Sequence, residues 1–138
     1  MKKATDELLK ILNHDSLENY VYDNEDEFII EPLSRYIGKM IEEKNMTNAE
    51  VIARSGIQVN YAYQILSGQK KPSRDKVIAL CFGMRLSVDE TQTLLKYGGY
   101  ARLYPRNKRD SVIIFALQNR DGIIDCNLKL DSFNLSPL

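Results

Sequence analysis

The chain has 138 residues, carries 19 basic and 19 acidic side chains, and is 43% hydrophobic and 28% charged. That is the size of one compact domain, or of a small domain with extensions, and the composition of an ordinary globular protein. The longest apolar run, Val112 to Leu117, is far short of the ~18 residues a membrane span requires, so no membrane association is expected. The opening MKKATDELLK lacks the apolar stretch of a secretory signal. Cys81 and Cys126 are far apart with no CxxC spacing, which reads as reduced thiols in a cytoplasm. A single histidine, His14, leaves little for a metal site or a Cys/His nucleophile pair.

The zero net charge conceals an asymmetry. Residues 1–31 hold nine acids and three bases, a net −6, and residues 32–138 balance this with +6. An acidic N-terminal arm, 1–31, joined to a basic body is therefore expected. Within the arm, Leu8, Leu9, Ile11 and Leu12 follow Thr5-Asp6-Glu7 as a short amphipathic helix would, and Asn24 to Glu27 reads as a loop. Such a segment is expected to dock on a basic surface, of this chain or of a partner.

From Pro32 onward the helical signals are regular. Leu33, Tyr36, Ile37, Met40 and Ile41 form one apolar stripe. Thr47-Asn48-Ala49-Glu50 is a capping box with Met46 and Val51 as its hydrophobic staple, and opens a short helix to about Arg54. Ser55-Gly56 breaks it. A third helix fits Val59 to Leu66, ended by Ser67-Gly68, and Lys70-Lys71-Pro72 is a basic loop. Ser73 caps a fourth helix with Val77, Leu80, Cys81 and Met84 on its apolar face, and Ser87-Val88-Asp89-Glu90 is a second capping box for a fifth, which stops at Gly98-Gly99.

The remaining third, 100–138, reads less sharply. Arg102, Arg106, Lys108 and Arg109 lie in a basic loop. Val112-Ile113-Ile114-Phe115 suits both a helix and a strand, and the helical spacing elsewhere favours a helix over Asp110 to Asn119. Asp121-Gly122 is a turn, Ile123 to Leu130 a last short helix, and Asn134 to Leu138 a loose tail. Val112, Ile113, Phe115 and Leu117 are expected either as an exposed dimer or effector surface or, equally, as part of an extension docked on the core.

Residues 47–73, TNAEVIARSGIQVNYAYQILSGQKKPS, place two short helices about a glycine-bearing turn and follow them with a basic loop and another capped helix. Thr47, Gly56, Ile57 and the closing Gly68-Gln69-Lys70-Lys71-Pro72-Ser73 resemble the pattern of the Cro/lambda-repressor-like family, the XRE-type regulators. The resemblance covers about half the chain. It implies an all-α protein with a five-helix lambda-repressor-like helix-turn-helix domain over 32–99, flanked by the acidic arm and a mostly helical extension over 100–138. Four residues depart from that pattern: Ile52 stands where a small Ala is usual, Ala62 where a bulky Ile or Val is, Gln58 where Ser or Asp would cap better, and Asn48 where Gln is frequent. The first two are opposite in volume and keep the packing full.

By that resemblance Val59, Asn60, Tyr63 and Gln64 face the bases. Asn and Gln amides carry a donor and an acceptor that match an adenine edge, and Val suits a thymine methyl. Thr47, Asn48, Tyr61, Lys70, Lys71 and Arg74 face phosphates. Because Val59 to Leu66 contains no charged residue, affinity must come from the flanks. The expected function is sequence-specific binding of double-stranded DNA as a transcription regulator, with a homodimer as the binding form and no cofactor. The alternative is an antitoxin-like or adaptor protein using the same helices, or the C-terminal segment, on a protein partner. No GxxxxGK[ST], HExxH or GxSxG motif is present, so an enzyme is not expected.

Overall fold

The computed structural model describes residues 31–138; the short helix and loop expected in the acidic arm lie outside the described residues. Among these there are seven α-helices and no strand: α1 Leu33–Glu43, α2 Asn48–Ser55, α3 Val59–Leu66, α4 Arg74–Gly83, α5 Val88–Tyr97, α6 Lys108–Gln118 and α7 Ile123–Ser132. None is long and apolar enough to cross a membrane.

Local chemistry sets the helix starts. Thr47 with Glu50 and Ser87 with Glu90 form reciprocal capping boxes, and Ser73 and Asn107 each accept one backbone N–H. Gln58 caps as well: its side chain folds back so that Oε1 accepts from Tyr61 N at 2.8 Å. The helix ends follow one rule. Each of the seven is followed by a single residue with positive φ: Gly56, Gly68 and Gly99, Asn45 and Asn134, and Arg85 and Arg120. Glycine and asparagine adopt this conformation at little cost, whereas an ordinary side chain loses about 1–2 kcal/mol there.

Packing is organised around α4, in which every residue from Val77 to Gly83 is buried. α2 lies directly on it. A Cβ at Gly83 would stand 2.4 Å from the Val51 carbonyl oxygen, so only glycine permits this approach. Arg54 Nε donates to the Gly83 carbonyl at 2.8 Å across the same crossing. α1 and α5 meet through the stacked rings of Tyr36 and Tyr97, with centroids 4.1 Å apart, and Lys44 reaches Glu90 at 2.9 Å. The Ser87 backbone N–H and then Lys44 hold the Glu90 carboxyl below its ordinary pKa.

Residues 100–138 are part of the same body. Leu103, Ile113, Ala116, Leu117, Ile123, Cys126 and Leu130 share one core with the first five helices. Of the two expectations for this segment the docked extension holds and the exposed surface does not: Ile113 and Leu117 are buried, Val112 is half-buried, and of the four only Phe115 is exposed, at 53%. The turn of the helix places 113, 116 and 117 together on its buried face, which consecutive apolar residues cannot disclose. Nor is the tail loose. Arg109 donates to the Ser136 and Pro137 carbonyls, and Leu138 N donates to Asn127 Oδ1 at 2.8 Å. Burial drives both thiols up, Cys81 to about 12 and Cys126 to about 11, so both are protonated and unreactive at neutral pH.

Replacing Gly83 with alanine forces α2 off α4. We expect a loss of about 3 kcal/mol or more in urea unfolding; a variant as stable as the parent would contradict the close approach.

Candidate nucleic-acid interface

α2 and α3 are joined by residues 56–58. Gly56 turns the chain with φ +70°. Buried Ser55 locks the turn: its hydroxyl donates to Ile52 O at 2.7 Å and accepts from Ile57 N at 3.2 Å. Ile57 is buried beneath. Ile52 and Ala62 are both buried, the large side chain on α2 and the small one on α3, which agrees with the volume exchange expected between them.

This anchoring decides which face of α3 looks outward. Ala62 and Ile65 are buried, and Tyr61 and Leu66 are half-buried against the core. On the other side Val59 is 55% exposed and Tyr63 45%, Asn60 is exposed, and Gln64 is half-buried beside them. The four residues expected to face bases therefore share one outward ridge. It has no charge of its own, but it offers two amides, a methyl-bearing side chain and a phenol.

The expected phosphate ligands divide. Lys70 and Lys71 are exposed in the loop after α3, which Lys70 N closes by donating to Gln64 O at 3.1 Å. Lys71 Nζ lies 5.9 Å from the Tyr100 ring centroid, while the Tyr100 hydroxyl donates to the Pro72 carbonyl. Asn48 is exposed in the first turn of α2. Thr47, however, spends both its N–H and its hydroxyl on Glu50 Oε1, at 3.1 and 3.0 Å. These bonds hold the Glu50 carboxyl below its ordinary value and put a negative charge at that helix start. Tyr61 is half-buried and packs against the core.

Arg74 departs most from expectation. Its guanidinium is bidentate to Asp110, at 3.1 and 2.9 Å, and also donates to the carbonyls of Ala101 (2.8 Å) and Arg102 (3.2 Å). Four donations leave it a fold bracket, not a phosphate ligand. Asp110 is buried and additionally accepts from Tyr104 N at 2.9 Å. The consequence for charge is positive nonetheless. The bracket draws the 101–102 backbone against the start of α4, next to Lys71 and Pro72, and the Arg102 side chain it brings there is exposed. Nothing local in the sequence couples positions 74 and 102. Arg109, also in the expected basic loop, is likewise occupied, bidentate to Asp75 at 2.9 Å, whereas Arg106 and Lys108 are exposed.

Among the described residues no three of His, Cys, Asp and Glu converge as metal ligands would. If Arg74 is a bracket, Arg74→Ala and Asp110→Ala each cost about 2–4 kcal/mol in urea unfolding, and the double variant costs clearly less than the sum of the two. Additive losses, or a stable Arg74→Ala, would contradict the pairing. No family model matches the chain, and no curated protein or solved structure does.

Proposed function

We propose that the chain binds double-stranded DNA sequence-specifically, with α2 and α3 as a helix-turn-helix whose α3 lies in the major groove, and that it acts as a cytoplasmic transcription regulator of the Cro-like kind. One observation carries the reading: α3 turns Val59, Asn60 and Tyr63 outward together, with Gln64 at their side and exposed lysines at the end of the helix. Asn60 and Gln64 supply paired donors and acceptors for a base edge, and Val59 supplies the apolar contact that a thymine methyl accepts. Lys70, Lys71 and Arg102 neutralise phosphates, with the α2 N-terminus at Asn48 as a further contact. Arg102 takes the place in this set that Arg74 was expected to hold. With an uncharged reading helix, affinity rests on these flanking cations and is strongly salt-dependent. The binding form is a two-fold dimer on half-sites about one helical turn apart. Its contact surface is the exposed apolar set on the C-terminal hairpin, Phe115, Ile124, Leu128 and Phe133.

The same apolar set favours a second reading, an adaptor or antitoxin-like protein that binds another protein there. Selection of duplexes from a random pool, followed by titration at two salt concentrations, separates them. The DNA reading expects enrichment of a defined sequence. It expects Asn60→Ala and Gln64→Ala to erase about 1–3 kcal/mol of preference for it. Lys71→Ala should weaken all duplexes alike and reduce the log–log salt slope by about 1. No enrichment and no salt dependence would overturn it.

A further inference from the structure

A cleft of about 710 Å³ opens where the end of α2, the end of α4 and the α6–α7 turn come together. Phe82, Leu86, Leu117 and Ile123, all buried, line it with apolar surface, and Arg54, Arg85 and Arg120 stand around it. The volume and the combination of apolar walls with a few charged groups are those of a small-molecule site.

Two of these arginines are conformationally costly. Of the seven residues that end the helices with positive φ, five are glycine or asparagine; the two that are neither are Arg85, at φ 55°, and Arg120, at φ 60°. Both line this one cleft. Folding alone would be served better by Gly or Asn at either position, and strained backbone of this kind clusters at binding sites. Arg120 Nη1 lies against the Arg85 carbonyl, 3.4 Å away, which sets the two residues side by side. Arg54 is anchored in the wall by Gly83 O and by Met46 Sδ. Asp121 also lines the cleft, but its charge is spent on Lys129 and on Asn119 Nδ2. Asp125 is exposed at the rim and disfavours an anion on the α7 side.

We propose that this cleft binds a small anionic amphiphile: an apolar body lies on Phe82, Leu86, Leu117 and Ile123, and a carboxylate-type head group is held by Arg85 and Arg120. A guanidinium suits a carboxylate through bidentate bonds, and Arg120, which gives one N–H to the Arg85 carbonyl, keeps further donors for such a head group. The proposal does not depend on DNA binding.

Decanoate, decanol and decyltrimethylammonium serve as probes, titrated calorimetrically into the full chain at neutral pH. Decanoate is expected to bind saturably at one site, at least about tenfold tighter than either of the others. Arg85→Asn and Arg120→Asn should each weaken decanoate about tenfold or more, while the melting temperature stays equal or rises because asparagine tolerates the left-handed backbone. That opposite movement of affinity and stability distinguishes a binding role from a structural one. The proposal is overturned if decanoate shows no saturable binding, if it binds no better than decanol, or if both asparagine variants retain full affinity. It is equally overturned if affinity is lost instead on replacing Lys108 and Lys129, which sit over the exposed Phe133 and Phe115 rings.

Discussion

The contact between α2 and Gly83 governs the rest of the molecule. Backbone meets backbone there, with the Val51 carbonyl where a Cβ would otherwise project, and Arg54 ties the two helices at that level. Once α2 is held this close, Ser55 and Gly56 turn the chain at a fixed place, and Ala62 and Ile65 of α3 are buried in the core. The buried side of α3 is thereby decided, and its opposite side is decided with it. The outward ridge of Val59, Asn60 and Tyr63 results from a constraint at Gly83, 20 to 24 residues away in sequence. Close packing transmits position in this way because interiors yield so little.

The C-terminal helices change the electrostatics more than the architecture. Arg74 and Asp110 join α4 to α6, and Asp75 and Arg109 join the same two helices with the polarity reversed. These exchanged pairs are half-buried and hydrogen-bonded to carbonyls as well, which makes them specific in geometry. They remove two arginines from the basic surface suggested by composition and leave Lys70 and Lys71 exposed after α3 and Arg102 exposed beside the start of α4. Net charge alone is thus a poor guide to where an anion would sit; which cations are spent within the fold decides that.

Much of the first five helices was legible in the residues. Capping boxes at Thr47 and Ser87, the cap at Ser73, and glycines at 56, 68 and 99 mark boundaries through short-range backbone chemistry, so α3 begins and ends where periodicity places it. The outward set on α3 was legible only through the family resemblance; the burial of Ala62 and Ile65 that turns this set outward appears in the structure. Illegible features depend on long separation or on degenerate pattern. Arg74 and Asp110 are 36 residues apart. Gly83 looks like any glycine near a helix end until another backbone lies on it. Ile113 and Leu117 sit in a run apolar on every side, whose inward face is chosen by packing against the rest of the core. Gln58 caps α3 because a longer side chain can fold back, and Arg85 and Arg120 are unusual only once their φ angles are known.

The most direct measurement of the central claim is the chemical-shift footprint of a mixed-sequence DNA duplex on the isotopically labelled protein. The account predicts that amide signals of Val59, Asn60, Tyr63, Lys70 and Lys71 move together on addition of duplex, while those of Ile113, Cys126 and Leu130 in the C-terminal core stay in place. Shifts confined to α6 and α7, with α3 silent at saturating duplex, would contradict it.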